Sequence, residues 1–244
     1  MKRLMTLPLL LSGLLFVSTG CPKTTSDTGE ADTDTDTDTD TDTDTDTDTD
    51  TAPPVDSEIS NMQQYNGYAE NDTVTATGTV TTPNTGYGFF MQDASAPYAG
   101  IWVYHGSSAK TQPTQGDTVE VTGTLIEYDD LTEIDASEGG INVTGTGDVP
   151  DPIVVAEADL LDGAVAEMYE SVLVTIESVT VASEADNYGE WSTSGGIIVD
   201  DKFLQDDKAY TAPAVSDTYT SITGPYDYSY GDFKLVPRST SDFE

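Results

Sequence analysis

Thr73-Val74-Thr75-Ala76-Thr77-Gly78-Thr79-Val80 is the stretch that decides the fold class. Its apolar side chains fall on even positions, at Val74, Ala76 and Val80, whereas the threonines fall on odd positions. Successive side chains of a strand point to opposite faces of a sheet, so this alternation predicts a half-buried β-strand over residues 73–80. The rest of the region after Pro54 has the same texture and no long helical period.

Four further short runs, rich in β-branched and aromatic residues, follow that strand. They cover residues 88–92, 100–104, 117–125 and 131–134, and each is bounded by turn residues. Five short strands of this kind predict a small Greek-key barrel.

A second set of elements begins after Pro150-Asp151-Pro152. Residues 157–168 predict one short helix, and residues 171–181 predict a long alternating strand. Gly195 to Val199 then correspond in place to Gly100 to Tyr104. The stretch from Asp217 to Gly224 parallels the stretch from Asp117 to Gly123, with one extra residue. We interpret this correspondence as a diverged internal duplication.

These stretches carry a family resemblance. Gly-Phe-Phe-Met-Gln-Asp at 88–93, Gly-Ile-Trp-Val-Tyr at 100–104 and Gly-Asp-Thr-Val-Glu-Val-Thr-Gly-Thr at 116–124 resemble the OB-fold domains that accompany secreted bacterial nucleases, and residues 169–244 are similar. The resemblance implies an all-β chain with two tandem OB-fold-like five-stranded barrels, at residues 56–148 and 149–244. In the relatives a metal-dependent nuclease domain commonly follows. Because this chain stops at Glu244, we expect the fold without the enzyme.

The N-terminus has the features of an export signal. Lys2 and Arg3 precede an apolar run from Leu4 to Val17, which is too short to span a membrane, so residues 1–20 predict a signal peptide. Ser18-Thr19-Gly20-Cys21 resembles a lipobox, which implies lipidation of Cys21, the single cysteine of the chain. Ser18 departs from the usual Leu, Val or Ile, which leaves ordinary signal-peptide cleavage as an alternative.

Lipidation would hold the protein on a membrane, because two or three acyl chains bind persistently. Pro22 offers no obvious inner-membrane retention signal, so we expect a cell-envelope lipoprotein of the outer membrane. Residues 21–55 predict a disordered linker, since the strict Thr-Asp repeat of residues 32–51 has no large apolar residue to bury. A passive tether is the simpler interpretation of this repeat, and a calcium-binding tract is the alternative.

The net charge of the chain indicates which classes of partner it can bind. The chain has 45 acidic and 8 basic residues and a formal net charge of −37. Residues 1–55 contain 12 acids and 3 bases, which leaves 33 acids and 5 bases in residues 56–244, a net charge of −28. Such a region repels phosphate backbones at long range, so nucleic acid is not an expected partner.

Catalytic chemistry is not predicted for any residue. The single histidine, His105, follows a predicted strand, and we expect it in a surface loop. With Cys21 lipidated, too few nitrogen and thiolate ligands remain for a zinc site. The acidic pairs at 129–130, 200–201 and 206–207 lack EF-hand spacing, so we interpret them as solvated loop charges, with a structural calcium site as the alternative and no other cofactor expected.

Aromatic residues are the candidate ligand contacts. If Ile101 and Val103 face a core, alternation turns Trp102 and Tyr104 outward, and Phe90 can join them from the preceding strand. OB folds use this sheet face for oligonucleotides or sugars, and the charge favours a sugar or a protein. The alternative is that these rings cover an interface between the two domains.

Two functions follow from these observations. The first is a non-enzymatic, membrane-anchored lipoprotein that displays acidic OB-like domains as a binding or structural module for an unknown protein or carbohydrate ligand. The alternative, which the resemblance implies, is an accessory OB-fold subunit of a separately encoded secreted nuclease. The oligomeric state is left open.

Overall fold

The computed structural model describes residues 57–82, 85–107, 109 and 111–244. All of them belong to one compact unit, Thr51–Glu244. The predicted signal peptide, Cys21 and the Thr-Asp linker lie outside the described residues. Within the described part of the chain, no helix has the length and apolar character needed to cross a membrane.

The predicted β-rich class is confirmed, and the strands form two sheets of six. The first half begins with a short helix, α1 (Glu58–Gln63), whose first turn is capped by the Ser57 side chain, which accepts a hydrogen bond from the Ser60 N–H. The strands of the first sheet are β1 (Thr73–Val80), β2 (Gly88–Gln92), β3 (Gly100–Tyr104), β4 (Asp117–Tyr128), β5 (Leu131–Asp135) and β6 (Ile141–Thr146).

The strands of the first sheet pair antiparallel, except for one parallel pair. β1 pairs antiparallel with both β2 and β4, β2 pairs antiparallel with β3, and β4 pairs antiparallel with β5. β3 and β5 run parallel. β6 pairs with β4 alone and forms the edge of the sheet.

Short helical elements lie between the first two strands of the second sheet and after its last strand. These are α2 (Glu157–Leu160), α3 (Gly163–Ala166) and the 3-10 turns Glu167–Tyr169 and Thr240–Asp242. Its strands are β7 (Ile153–Val154), β8 (Leu173–Thr180), β9 (Trp191–Ser192), β10 (Ile198–Val199), β11 (Thr218–Ser229) and β12 (Asp232–Leu235).

The second sheet repeats the pairing order of the first. β8 pairs antiparallel with β11, β11 with β12, and β10 with β9, while β10 and β12 run parallel. A bridge between Val181 and Thr193 links the residue after β8 to the residue after β9. The strands β8 to β12 therefore correspond to β1 to β5, and β7 is added beside β8. This common order agrees with the duplication inferred from the sequence.

Each sheet has its own hydrophobic core. In each half, a short helical segment packs against that core. Ile59 and Met62 of α1 are fully buried against the apolar residues of β1 to β5. Leu160 of α2 and Ala166 of α3 take the same role in the second core, beside Trp191. In each half, therefore, apolar side chains from a short helix before the first long strand complete the core.

Several predicted elements have different limits in the structure. The strands at 73–80, 88–92 and 100–104 are confirmed, whereas β4 continues three residues beyond the predicted end. The single helix predicted over 157–168 is two helices, because the Asp162 side chain accepts a hydrogen bond from the Ala164 N–H and starts a second helix. The strand predicted over 171–181 begins at Leu173, since Ser171 adopts a left-handed backbone conformation at φ 64°.

Candidate functional site

The candidate residues lie on one face of the first sheet. Phe90, Trp102 and Glu133 are neighbours across β2, β3 and β5, because Phe90 pairs with Trp102 and Trp102 pairs with Glu133. Ile101 and Val103 belong to the core on the opposite face. Alternation along β3 therefore directs Trp102 and Tyr104 away from the core, as the sequence pattern requires.

This face is not open to solvent in the structure. Phe90 is 0% exposed and Trp102 is 8% exposed. Two residues that follow β10 in the second half, Lys202 and Phe203, cover the rings. The Lys202 Nζ lies 4.8 Å from the Trp102 ring centroid and 5.4 Å from that of Phe90, and the Phe203 ring lies 6.4 Å from the Phe90 ring.

Phe90 and Trp102 therefore meet the second half of the chain, which is the alternative arrangement that the sequence left open. Their ring centroids are 4.6 Å apart, and the planes are tilted by 58°. Covering them removes a large apolar area from water, and the cation above the rings adds an electrostatic attraction. A role for these two rings in binding an external ligand stays a prediction. Tyr104, at the end of β3, is half-buried.

Charged side chains of alternating sign lie around Lys202, one of the two residues that cover the rings. The Lys202 Nζ donates a hydrogen bond of 3.0 Å to the Asp227 carboxylate, which is only 2% exposed. Asp227 on β11 is the register partner of Lys234 on β12, and Lys234 in turn forms an ion pair with Glu190. A buried carboxylate is tolerated when it is paired and hydrogen-bonded, so Lys202 both covers the rings and neutralises Asp227.

Two acidic groups in this region are shifted toward the protonated form. Burial, with a smaller contribution from the Asp135 charge, raises the pKa of Glu133 to about 7. Burial also raises the pKa of Asp200 to about 6, although the nearby ammonium groups of Lys234 and Lys202 lower it in part. Both shifts reflect the cost of holding a carboxylate where water is excluded.

Further direct contacts join the two halves. The Gln92 side chain accepts a hydrogen bond of 2.7 Å from the Leu173 N–H, and the Glu170 carboxylate accepts one of 3.0 Å from the Thr132 N–H. Gly100 packs against the Ser171 carbonyl so closely that a Cβ at position 100 would lie 2.2 Å from its oxygen. Only glycine permits this approach of the two backbones.

The structure corrects the expectation for His105. We expected it in a surface loop, but it is 1% exposed, and its Nδ1 lies 2.7 Å from the Gly106 carbonyl oxygen. The ring also lies 6.1 Å from Phe89. The period of two that buries Ile101 and Val103 reaches the next odd position, so continuing the alternation by one step would have predicted its burial.

The acidic pairs are dispersed. Asp129 and Asp130 are exposed and form the turn between β4 and β5, where both have positive φ angles of 48° and 69°. Asp200 and Asp201 follow β10, and Asp206 and Asp207 lie further along the same connection. Over residues 57–82, 85–107, 109 and 111–244, no three His, Cys, Asp or Glu side chains are grouped so that they could hold a metal ion.

Comparison with known proteins gives no assignment for the chain. No protein-family model matches it, and no curated protein matches it.

Proposed function

We propose that this chain is a non-enzymatic lipoprotein, attached to the cell envelope through a lipid on Cys21, that displays two OB-type barrels as one binding or structural module. The Thr-Asp repeat serves as the spacer between membrane and module. Strand pairing supports the barrels, and the lipobox-like sequence supports the lipid anchor. The internal pairing of basic residues supports a partner other than nucleic acid.

Strand pairing supports the OB-type barrels. In the first sheet β1 to β5 form the circuit β1-β2-β3-β5-β4-β1, in which the β3–β5 pair is parallel, and β4 pairs in addition with β6. A circuit of five strands with no free edge is what a small closed barrel requires. In the second sheet the equivalent circuit runs through the bridge between Val181 and Thr193.

The internal pairing of the basic residues is the main support for a partner other than nucleic acid. Residues 56–244 contain five of them, and three form ion pairs with carboxylates of the same chain. Arg238 binds both carboxylate oxygens of Asp242, at 2.6 Å and 3.0 Å. Cations engaged in this way leave little positive charge for a phosphate backbone, while the net charge of −28 repels it.

Labelled single-stranded DNA and RNA, at low and at physiological ionic strength, test whether the chain binds nucleic acid. Fluorescence anisotropy is expected to show no binding in either condition, and incubation with magnesium, calcium or manganese is expected to leave both nucleic acids uncut. Tight binding that weakens as salt rises would contradict the proposal and would favour an accessory role beside a nuclease.

The anchor is tested with Cys21→Ser. The unsubstituted chain should incorporate a labelled fatty acid and fractionate with membranes, because the lipid is its anchor. The variant should lose the label and appear in the soluble fraction. Label retained on the variant would contradict the lipoprotein assignment without affecting the argument about the partner class.

A further inference from the structure

A groove lies between the helical segment of the second half and the hairpin formed by β11 and β12. Its volume is about 240 Å³. Leu161 and Gly163 line it on the helical side, Ile198 lines it from β10, and Tyr228 and Phe233 line it from the hairpin. Pockets for drug-sized molecules have about 300–1,000 Å³, so a groove of this size fits one side chain or a group of similar size.

Three aromatic rings form the hairpin side of the groove. Tyr226 and Tyr228 are two residues apart on β11 and share a face, and Phe233 is the register partner of Tyr228 on β12. The Phe233 ring centroid lies 5.2 Å from that of Tyr226 and 4.8 Å from that of Tyr228. Tyr226 is buried, whereas Tyr228 and Phe233 are half-buried, so part of each of these two rings is accessible to a ligand.

The helical side of the groove is fixed in position and apolar. The Tyr226 hydroxyl donates a hydrogen bond of 2.9 Å to the Leu160 carbonyl, which ties the end of α2 to the hairpin. Leu161 follows and is 54% exposed. Its Cδ1 packs so near Gly196 that a Cβ at that position would lie 3.2 Å away. A ligand with an aliphatic portion would remove this leucine from water.

Four carboxylates lie around the Tyr228 hydroxyl. Burial raises the pKa of this hydroxyl, and the four negative charges raise it further; they belong to Asp130, Asp232, Glu167 and Glu170. Asp130 comes from the turn between β4 and β5 of the first half, and both it and Asp232 are exposed. The groove therefore has an aromatic and aliphatic lining within a negative potential, which attracts cations.

The two halves have diverged at this position. By register, the Glu127–Thr132 pair of β4 and β5 is the equivalent of the Tyr228–Phe233 pair. The Glu127 carboxylate accepts hydrogen bonds of 3.0 Å from the Tyr65 hydroxyl and 2.9 Å from the Thr132 hydroxyl. In the first half, the chain's own hydroxyl groups thus meet the carboxylate. In the second half, two rings take the place of that hydrogen-bonded pair and line the groove.

We propose that this groove is the docking site for a basic segment of a partner protein, with an arginine or lysine side chain placed against Tyr228 and Phe233. This inference rests on the proposed function and supplies its partner class. The aliphatic stem of such a side chain can cover Leu161, while its cationic end meets the faces of the rings and the surrounding carboxylates. Arginine and aromatic residues are enriched at protein interfaces, which agrees with this pairing.

Charge complementarity selects the basic segment from the other ligand classes. The net charge of −28 over residues 56–244 attracts a cationic partner and repels nucleic acids and anionic polysaccharides. An uncharged ligand would displace water from the carboxylates without compensating their charge. A small free cation would use the groove alone, whereas a segment with several basic residues also meets the acidic surface around it.

The test uses the full chain carrying Cys21→Ser, so that it can be handled without detergent. The probe is a fluorescently labelled short peptide of alternating arginine and glycine, and the same peptide with glutamine in place of arginine is the uncharged comparison. Fluorescence anisotropy at physiological ionic strength is expected to show binding of the arginine peptide alone. The Thr-Asp repeat is present in every variant, so differences between variants report on the groove.

Substitutions in the groove should weaken binding of the arginine peptide. Tyr228→Ala removes a ring that contacts the cation and should weaken binding about fivefold, whereas Tyr228→Phe keeps the ring and should stay within about twofold. Asp232→Asn should weaken binding about threefold, and its combination with Tyr228→Ala at least about tenfold.

A matched control separates the groove from the general charge of the surface. Glu177→Gln removes one negative charge at an exposed position of β8, as Asp232→Asn does in the groove. Its register partner, Ser221, lies seven residues from Tyr228 along β11, which is about 23 Å at about 3.3 Å per residue. Glu177→Gln should therefore leave the affinity within about 1.5-fold of the unsubstituted value.

Circular dichroism checks the fold of each variant, and if Tyr228→Ala unfolds, the comparison of Asp232→Asn with Glu177→Gln decides. Four results would overturn the docking site: no binding of the arginine peptide, equal binding of the glutamine peptide, an affinity that survives the combined substitution, or displacement by spermidine at a lower concentration than by unlabelled arginine peptide. None of them bears on lipidation of Cys21, which fatty-acid labelling tests separately.

Discussion

At the scale of single residues, the contact between Trp102 and Lys202 changes what a substitution is expected to do. Trp102 is buried between Phe90 and the Lys202 ammonium. Trp102→Ala should therefore lower the free energy of unfolding by about 3–5 kcal/mol, the usual cost of deleting a buried aromatic side chain. Urea unfolding followed by circular dichroism measures it. Trp102→Phe, which keeps a ring below the ammonium, should cost clearly less, and a loss below about 0.5 kcal/mol for the alanine variant would contradict the burial.

Glu133 makes stability depend on pH. Its pKa is about 7 in the folded chain and 4.5 as the ordinary value, so the folded state binds the proton more tightly. The group's contribution to stability is therefore complete below pH 4.5 and is lost as the pH rises through 7. Glu133→Gln removes this loss, so the variant should be more stable than the unsubstituted chain at pH 8 by up to about 3 kcal/mol and similar to it at pH 4.

The measurement is a series of urea unfolding curves between pH 4 and pH 8 for both chains. Glu177→Gln, at an exposed position of β8, is the control for the chemical change from carboxylate to amide. A Glu133→Gln variant that is equally or less stable at pH 8 would contradict the assigned shift.

At the scale of elements, the turn between β11 and β12 holds a tyrosine in a left-handed backbone conformation. Tyr230 has a φ of 55°, which asparagine adopts with less strain. Tyr230→Asn should therefore raise the free energy of unfolding by about 0.5–1 kcal/mol. Urea midpoints measure this effect, and Tyr188→Asn, whose position has no positive φ, is the control that should not gain stability. A loss of stability in Tyr230→Asn would show that the ring has a structural role.

Some of these elements could be predicted from the sequence, and others could not. Alternation located β1, β2 and β3 because one face of each strand is buried in the core. The edge strand β6 was missed, since its apolar alternation is limited to Ile141 and Val143 and all but its first residue is exposed. The burial of Trp102 could not be predicted from local pattern, because the residue that covers it, Lys202, lies far away in the chain.

At the scale of the whole molecule, the two halves form one compact body. Each half has its own core, yet Lys202 and Phe203 of the second half cover the aromatic face of the first. The Gln92–Leu173 and Thr132–Glu170 hydrogen bonds add contacts between them. Because these contacts are buried or part-buried, we expect the two halves to unfold together rather than as independent domains.

The chain contains two tryptophans, one in each half, and they provide the most direct test. Trp191→Phe leaves Trp102 as the fluorescent reporter of the first half, and Trp102→Phe leaves Trp191 as the reporter of the second. In each variant, urea unfolding is followed by tryptophan fluorescence and by far-ultraviolet circular dichroism in the same samples. A single joined body predicts that the two signals change together, with one midpoint in each variant. Fluorescence and circular dichroism transitions that separate, with a plateau between them, would contradict the joining of the two halves.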